Sequence, residues 1–246
     1  MKILVYNIAY GTGIRGGVRD NLTKDWRYLL KDSPRAIQGI IATLRRQKAD
    51  VVCLIEMDAG SLRNRFRSQA KTIAEALGYP FFWSFCKYGS RSPIRKIPVL
   101  RRHHAAIISR IPGAAKAHYL RHGIKKLVVE LIANGLSVFT VHLGLLSAKT
   151  RAKQLEEVGH LLKVCERPHV VCGDFNCLRG LDEIRPFVLQ NRLTLAHTKP
   201  TFPSRKPTKV LDLILASPSV KVVKSGVGRV RYSDHLPVWV EIDTDR

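Results

Sequence analysis

The stretch VVCGDFN, residues 170–176, is an apolar run that ends on a carboxylate and an amide. Its β-branched residues predict a buried strand, and Gly173 allows the backbone to turn where that strand ends. Asp174 and Asn176 lie two residues apart, so in extended backbone their side chains point the same way. An Asx turn, in which such a side chain bonds nearby backbone, is the alternative explanation.

Three other apolar runs, far apart in the chain, also border isolated polar residues: VVCLIE at 51–56, VFTVHL at 138–143 and YSDHLPVWV at 232–240. The ends of such strands lie where loops gather, so their polar side chains are expected to converge. Carboxylate, amide and imidazole groups in one place suit a hard divalent cation and a phosphate. The four runs together predict a metal-dependent phosphoester hydrolase.

Asp212 interrupts the apolar run VLDLILA. A carboxylate on a solvated strand face would explain it, but its neighbours are all apolar. We therefore predict that Asp212 is buried and paired with a histidine, because each partner removes the other's desolvation cost. Asp234 and His235 in SDHLP could be ordinary loop residues, and a lone strand-end histidine such as His142 is more often structural than catalytic.

The chain is strongly basic, with 42 Lys and Arg against 19 Asp and Glu and a formal net charge of +23. Between Glu75 and Glu130 there is no acidic residue, whereas basic residues are frequent. A solvated basic face is the usual meaning of such a run, but this imbalance favours a polyanionic partner. Nucleic acid is the first candidate and an anionic lipid surface the second.

Within this basic region, the stretch 86–126, which follows the predicted strand FFWSF at 81–85, is predicted to grip the phosphates of the substrate. The loop at 14–31 is a second candidate for gripping phosphates. Tyr88 is the candidate for stacking on a base. The predicted substrate-binding residues are Arg91, Arg95, Lys96, Arg101, Arg102 and Tyr88.

Hydrophobic periodicity predicts helices over 34–48, 64–77, 148–165 and 180–191. Predicted strands are 2–8, 51–56, 81–85, 104–109, 127–132, 136–143, 169–175, 210–217 and 236–242. Hairpins mixed with helical crossovers indicate one α+β domain over residues 1–246, with a mixed sheet and helices outside.

Several classes of protein are not expected. No apolar stretch approaches the roughly 18 residues of a membrane-spanning helix, and the amino-terminal run lacks a signal-peptide cleavage site. We expect a cytoplasmic protein that works as a monomer, with its 5 cysteines as free thiols. The glycines at 11–16 match GxGxxG, but no helix opens there, so a flexible loop is predicted instead of a dinucleotide site.

Seven motifs in order along residues 2–242 resemble the endonuclease/exonuclease/phosphatase superfamily of DNase I-like hydrolases. They are Asn7, Glu56 in LIE, HAAIISR at 104–110, His142 in VHLGLLSAKTRAKQ, GDFN, VLDLIL and SDHLP. The resemblance implies a four-layer α/β/β/α sandwich with the site at the strand ends. Abasic-site endonucleases of this family carry an acidic residue where this chain has Ala9, so only the general phosphodiesterase activity is carried over.

The resemblance also implies a metal site. Glu56 would ligate Mg²⁺ or Mn²⁺, Asn7 would orient that ligand, and Asp234 would be a further ligand or an outer anchor.

Catalytic roles follow from the same resemblance. Asp174 and Asn176 would position the water and the scissile phosphate, with Asp174 a possible base. Asp212 would orient His235, which is the other candidate base or a cation that stabilises the transition state. His142 would contact a phosphate oxygen.

Three functions therefore stay open. The first is a metal-dependent phosphodiesterase that acts on DNA or RNA. The second keeps the site but takes an anionic phospholipid or a small phosphoester. The third is a non-catalytic nucleic-acid-binding module, which is disfavoured because every carboxylate and histidine of the site is present.

Overall fold

The apolar runs form two mixed β-sheets, and a computed structural model describes them through residues 1–14, 33–90 and 92–243. The first sheet has the strand order β11-β12-β1-β2-β4-β3. Its strands are β1 Lys2–Asn7, β2 Val51–Asp58, β3 Phe81–Cys86, β4 His103–Ser109, β11 Lys221–Val227 and β12 Val238–Asp243.

The second sheet has the order β5-β6-β7-β8-β10-β9. Its strands are β5 Ala114–Tyr119, β6 Leu127–Ala133, β7 Leu136–His142, β8 His169–Asp174, β9 Thr194–Leu195 and β10 Asp212–Ala216. Alternate side chains of both sheets meet in a central apolar core that includes Val5, Cys53, Val129 and Cys172. The two inner faces therefore pack on each other, as in other β-sandwiches.

Helices cover the outer faces of both sheets. Helices α1 (Pro34–Gln47) and α2 (Gln69–Leu77) supply residues of an apolar cluster on the first sheet. Helix α3 (Ala148–Lys163) and the short α4 (Arg185–Gln190) do the same on the second. The predicted four-layer α/β/β/α sandwich is confirmed. None of the helices in the described ranges is long and apolar enough to cross a membrane.

Three strands were not predicted, and each lies at the edge of a sheet: β5, β9 and β11. Edge strands expose one side and tolerate polar residues, so the sequences AAKAHY and KVVKSGV lack the apolar pattern of the central strands. Periodicity is therefore a weaker guide at the edges of a sheet than at its centre.

The predicted helix over 64–77 begins five residues late, at Gln69. The Ser68 hydroxyl accepts a hydrogen bond from the amide of Lys71 and caps the helix. Before it, Arg65 and Phe66 have φ of 57° and 62°, which no α-helix contains. The prediction for 180–191 also needs correction, because a 3₁₀ turn over Leu181–Glu183 precedes α4.

Candidate active site

Strand register brings the predicted site residues to one edge of the sandwich. In the first sheet, Asn7 lies opposite Ile55 in the parallel pair β1–β2, so Glu56 follows directly beside it. In the second sheet, Asp174 at the end of β8 lies opposite His142 on β7 and Asp212 on β10. Residues between 30 and 50 positions apart in the chain therefore become immediate neighbours.

A hydrogen bond between the sheets joins these two groups. The Asn7 amide Nδ2 donates to Asp174 Oδ2 at 3.1 Å, and Asn7 Oδ1 accepts from the amide of Ala9 at 3.1 Å. Asp174 Oδ1 accepts from the backbone amide of Asn176 at 3.0 Å, and Asn176 Nδ2 donates to the Leu143 carbonyl at 2.9 Å. The Asx-type bond is thus present, and it orients a carboxylate that points into the site.

The backbone around Asp174 requires unusual conformations. Gly173 has φ of 146°, and a Cβ atom built there would lie 2.0 Å from the Val141 carbonyl oxygen, so only glycine fits. Asn176 has φ of 51° in the left-handed region, which asparagine tolerates better than most residues. The sequence GDFN therefore matches the backbone that aims Asp174.

Asp212 and His235 form the buried pair that the sequence predicts. His235 Nδ1 donates to Asp212 Oδ2 at 2.7 Å, and its Nε2 lies 3.8 Å from Asp174 Oδ2. Burial opposes a charge on the ring, but the Asp212 and Asp174 carboxylates outweigh it and raise the pKa of His235 to about 10. At neutral pH this ring is therefore an imidazolium.

His142 lies between the carboxylates of the two sheets. Its Nε2 is 3.4 Å from Asp174 Oδ2 and 3.9 Å from Glu56 Oε1, and Lys125 Nζ donates to the same nitrogen. Burial, together with the charge of Lys125, lowers the pKa of His142 well below its ordinary value. His142 is therefore neutral at pH 7, in contrast to His235.

The sequence predicts that the second strand ends at Glu56, but the strand runs past this residue. Strand β2 continues to Asp58, and its register against β4 shifts between Leu54 and Met57, as in a β-bulge. Glu56 has φ of 55° within this irregularity. The bulge re-aims one side chain while the strand continues, a common use of bulges beside active sites.

Two lysines that sequence analysis did not assign to the site lie next to Glu56. Lys87 Nζ is 4.0 Å and Lys125 Nζ 3.8 Å from Glu56 Oε1. Burial lowers the pKa of Lys87 to about 8, opposed by the charge of Glu56, so the ammonium form predominates at pH 7. Both lysines belong to the basic run, where nothing in the sequence separates them from its other members.

The site offers donor atoms of the kind that bind divalent cations. Glu56 and Asn7 offer a half-buried carboxylate and an amide oxygen, which are hard ligands of the kind that Mg²⁺ takes together with water and substrate phosphate. Asp174, Asp212 and His235 form a second group with atoms within 4.8 Å of one another, in which the two carboxylates are the ligands on offer because the protonated His235 ring has no free lone pair. Among described residues, Asp212 Oδ1 is buried without a hydrogen-bond partner. The residues present therefore fit a divalent cation.

Asp234, the third predicted ligand, is not part of that group. Its Oδ1 accepts a hydrogen bond from the Ser233 hydroxyl at 3.1 Å, and its charge helps to raise the pKa of His235. Asp234 therefore acts electrostatically on His235, and its role as a metal ligand or an outer anchor stays a prediction.

Four of the six predicted substrate-binding residues lie in the segment just before β4, the strand that carries His104. Two 3₁₀ turns, Pro93–Lys96 and Leu100–Arg102, carry Arg95, Lys96, Arg101 and Arg102. His104 lines the same cleft as Glu56. Its pKa is lowered to about 4, mainly by burial, then by the charge of Arg102, with a smaller contribution from Arg95. Arg91 and nearly all of the loop at 14–31 lie outside the described residues.

The prediction that Tyr88 stacks on a base is wrong, because its side chain is buried and only 6% of the residue is exposed. Its ring packs 6.4 Å from the His103 ring, and the Lys87 ammonium lies 5.3 Å from its centre. The ring is therefore occupied inside the protein and is not an exposed platform for a base.

His103 gives a prediction about acid stability. Burial and the charges of Lys87 and Arg63 lower the pKa of His103 to about 2, so the folded chain keeps the ring neutral where the unfolded chain protonates it near pH 6.5. The unfolded state then binds the extra proton, and stability falls as pH falls. From pH 6.5 to 4.5 this one ring should remove about 2 kcal/mol from the free energy of unfolding.

His103→Phe keeps an aromatic ring beside Tyr10 and lacks the titration. Urea unfolding at pH 6.5 and 4.5 should show the smaller acid loss in His103→Phe, whereas the exposed His160→Gln should behave like the parent. Equal acid losses in the parent and His103→Phe would contradict the prediction.

Comparison with known proteins places this site in a family. A profile of the Endonuclease/Exonuclease/phosphatase family matches residues 4–235. A comparison with curated protein sequences finds no significant match. Among solved structures, the chain is similar to an endonuclease/exonuclease/phosphatase from Beutenbergia cavernae, with 20% identity over 98% of this chain and 71% of the other and a TM-score of 0.70.

Two further structures share the fold. A mannosyl-6-phosphatase from Bacteroides thetaiotaomicron has 18% identity over 99% of both chains and a TM-score of 0.68. An AP endonuclease from Archaeoglobus fulgidus has 17% identity, also over 99% of both chains, and a TM-score of 0.66. The family profile covers nearly the whole chain and includes the strand ends that form the site. The chain therefore belongs to the endonuclease/exonuclease/phosphatase family of phosphoester hydrolases.

Proposed function

We propose that the chain is a divalent-metal-dependent phosphodiesterase that acts on nucleic acid. The observation that carries this proposal is the setting of Asp174. Its carboxylate accepts hydrogen bonds from both sheets and lies 3.8 Å from His235 Nε2, which belongs to a ring held by Asp212. A base beside a fixed cation is the arrangement that hydrolysis of a phosphoester needs.

Asp174 is the proposed general base. Burial raises the pKa of Asp174 to about 6, although the neighbouring imidazolium of His235 opposes the rise. At pH 7 the carboxylate is ionised and still basic enough to take a proton. The oxygen of a water bonds to phosphorus as its proton passes to Asp174, and the ester oxygen leaves and is protonated by solvent.

His235 acts as a cation in this proposal and not as the base. Its Nδ1 proton is committed to Asp212, and its Nε2 faces the region of Asp174. An imidazolium there would offset the negative charge that develops on the phosphoryl oxygens. A divalent cation held by Glu56 and Asn7 would, when bound, polarise a phosphoryl oxygen as a Lewis acid.

Nucleic acid is the proposed substrate because the basic residues adjoin the cleft. Arg95 and Arg102 act on His104, which lines the cleft beside Glu56. Such a rim would contact the sugar–phosphate backbone on either side of the scissile bond. The similarity to an AP endonuclease agrees with a substrate of this class.

The second candidate takes an anionic phospholipid or a small phosphoester, and one observation favours the phospholipid. Leu145 and Leu146, three and four residues after His142, are 46% and 92% exposed. Exposed leucines on a strongly basic chain resemble the combination with which peripheral proteins enter an anionic membrane interface. This candidate keeps the same catalytic residues and changes only the substrate.

A substrate panel separates the candidates. Labelled single- and double-stranded DNA, RNA and vesicles of anionic phospholipid would be incubated with the protein and Mg²⁺ or Mn²⁺. We expect cleavage of nucleic acid that stops with a chelator and weakens steeply as salt rises. Lipid hydrolysis without nucleic-acid cleavage would transfer the proposal to the second candidate, and chelator-insensitive binding without turnover would favour the binding module.

A further inference from the structure

Two lysines from opposite sheets converge on one carboxylate oxygen. Lys87 follows the end of β3 in the first sheet, and Lys125 lies in the loop that leads into β6 in the second. Their Nζ atoms lie 4.0 and 3.8 Å from Glu56 Oε1. These are ion-pair distances and exceed the length of a direct hydrogen bond, so Glu56 does not saturate the ammonium donors.

Lys87 is held in place before any substrate arrives. It is only 8% exposed, its Nζ lies 5.0 and 5.3 Å from the ring centres of Tyr10 and Tyr88, and it donates to the Tyr10 hydroxyl. Its backbone amide donates to the His103 carbonyl at 2.9 Å. An ammonium enclosed by two aromatic rings has little freedom, which favours a fixed binding role.

Lys125 is fixed from the other side. Its backbone carbonyl accepts a hydrogen bond from Gln154 Nε2 at 2.6 Å, and its Nζ donates to His142 Nε2. His142 in turn lies 3.4 Å from Asp174. Lys125 is therefore one side chain away from the proposed base.

The charges in this cleft do not balance. The cleft is lined by Glu56, Lys87, His104, Lys125 and His142 among other residues, and Glu56 is the carboxylate that both ammonium groups approach. Two ammonium groups thus face one carboxylate. One carboxylate neutralises only one of the two positive charges, so this arrangement favours the arrival of an anion.

We propose that Lys87 and Lys125 form a clamp for non-bridging oxygens of the substrate phosphate, a role that rests on the proposed function. Each ammonium has three donors and binds a phosphate oxygen as a point charge. When water attacks a diester, the phosphorane-like state carries two negative charges, and two cations match it better than they match the singly charged ground state. The clamp should therefore act more on kcat than on KM.

Binding of inorganic phosphate in the presence of a chelator tests the clamp without using activity. Isothermal titration would compare the parent with Lys87→Met and Lys125→Met, which keep chain length and lose the charge. The matched control is Lys126→Met, which removes the same charge beside Lys125 from a half-buried residue whose Nζ donates to the Arg121 carbonyl. We expect at least about tenfold weaker binding in each clamp variant and less than about twofold in the control.

Lys87→Arg distinguishes loss of the charge from loss of the fold, because it keeps the positive charge. It should recover part of the phosphate affinity even if Lys87→Met is poorly folded. Unchanged phosphate affinity in both Met variants, or no phosphate binding by the parent, would overturn the clamp. In that case hydrolysis by the parent would leave the proposed function standing. Phosphate binding that depends on both lysines, in a chain that hydrolyses no phosphoester, would keep the clamp and remove the proposed function.

Discussion

Replacement of Asp174 by Asn is expected to lower kcat by about 10²- to 10⁴-fold, the usual contribution of a positioned general base. The amide has nearly the same shape as the carboxylate, and it cannot accept the proton of the attacking water. Its oxygen can still accept one of the two bonds that Asn7 and Asn176 now donate to Asp174. The loss should therefore appear in turnover much more than in stability.

The measurement is steady-state cleavage of whichever substrate the panel identifies, with thermal unfolding of the same samples. Asp182→Asn is the matched control, because it removes an exposed carboxylate in the turn before α4. A fully active Asp174→Asn protein would remove Asp174 from the mechanism. Equal losses in both variants would indicate a general effect of charge.

Replacement of Arg63 by Met is expected to reduce the free energy of unfolding by about 3 to 5 kcal/mol, because it leaves a buried carboxylate without its cation. Arg63 donates from Nε and Nη2 to Asp58 Oδ2 at 3.0 and 2.7 Å, and neither side chain is exposed. Asp58 also accepts bonds from the Ser61 hydroxyl and from the amides of Gly60 and Ser61. Those bonds cannot replace the lost charge.

Urea unfolding would measure this loss, with the exposed Arg67→Met as the control on the same segment. The double variant with Asp58→Asn should be more stable than Arg63→Met alone, because it removes the orphaned charge. A loss below about 1 kcal/mol in Arg63→Met would mean that the pair behaves like a surface ion pair.

The Asp58–Arg63 ion pair also contacts residues that position the candidate active site. Asp58 is two residues after Glu56, and its amide donates to Gln69 Oε1, while Gln69 Nε2 donates to the Tyr10 carbonyl. The Arg63 guanidinium lies 4.7 Å from the centre of the Tyr10 ring. The segment from Asp58 to Gln69 thus connects the β2 bulge with the aromatic residue that holds Lys87.

Much of the fold could be predicted because central strands must be apolar over their whole length. The runs that contain Val5, Cys53, Val138 and Val171 are buried on both faces, so their composition alone predicts strands. Asp212 could be predicted to pair with a histidine for the same reason, since a lone carboxylate in an apolar run needs a partner. Neither inference requires knowledge of which strands are neighbours.

The edge strands and the bulge at Glu56 could not be predicted. An edge strand such as β11 meets fewer packing constraints, so its residues carry little periodicity. A bulge depends on the register of β2 against β4, which lies about 50 residues further along the chain. Local sequence carries no information about such a pairing.

By itself, the sequence determined an α+β domain with helices outside, the apolar runs that carry Asn7, Asp174 and Asp212, and the strong positive charge, because burial and composition act residue by residue. The four-layer arrangement followed from the family resemblance. Only the tertiary structure decided that Lys87 and Lys125, out of a long basic run, face Glu56, and that Tyr88 is buried. The physical reason is that distances between residues far apart in the chain depend on strand order and register. Those are set by the packing of the two sheets as a whole.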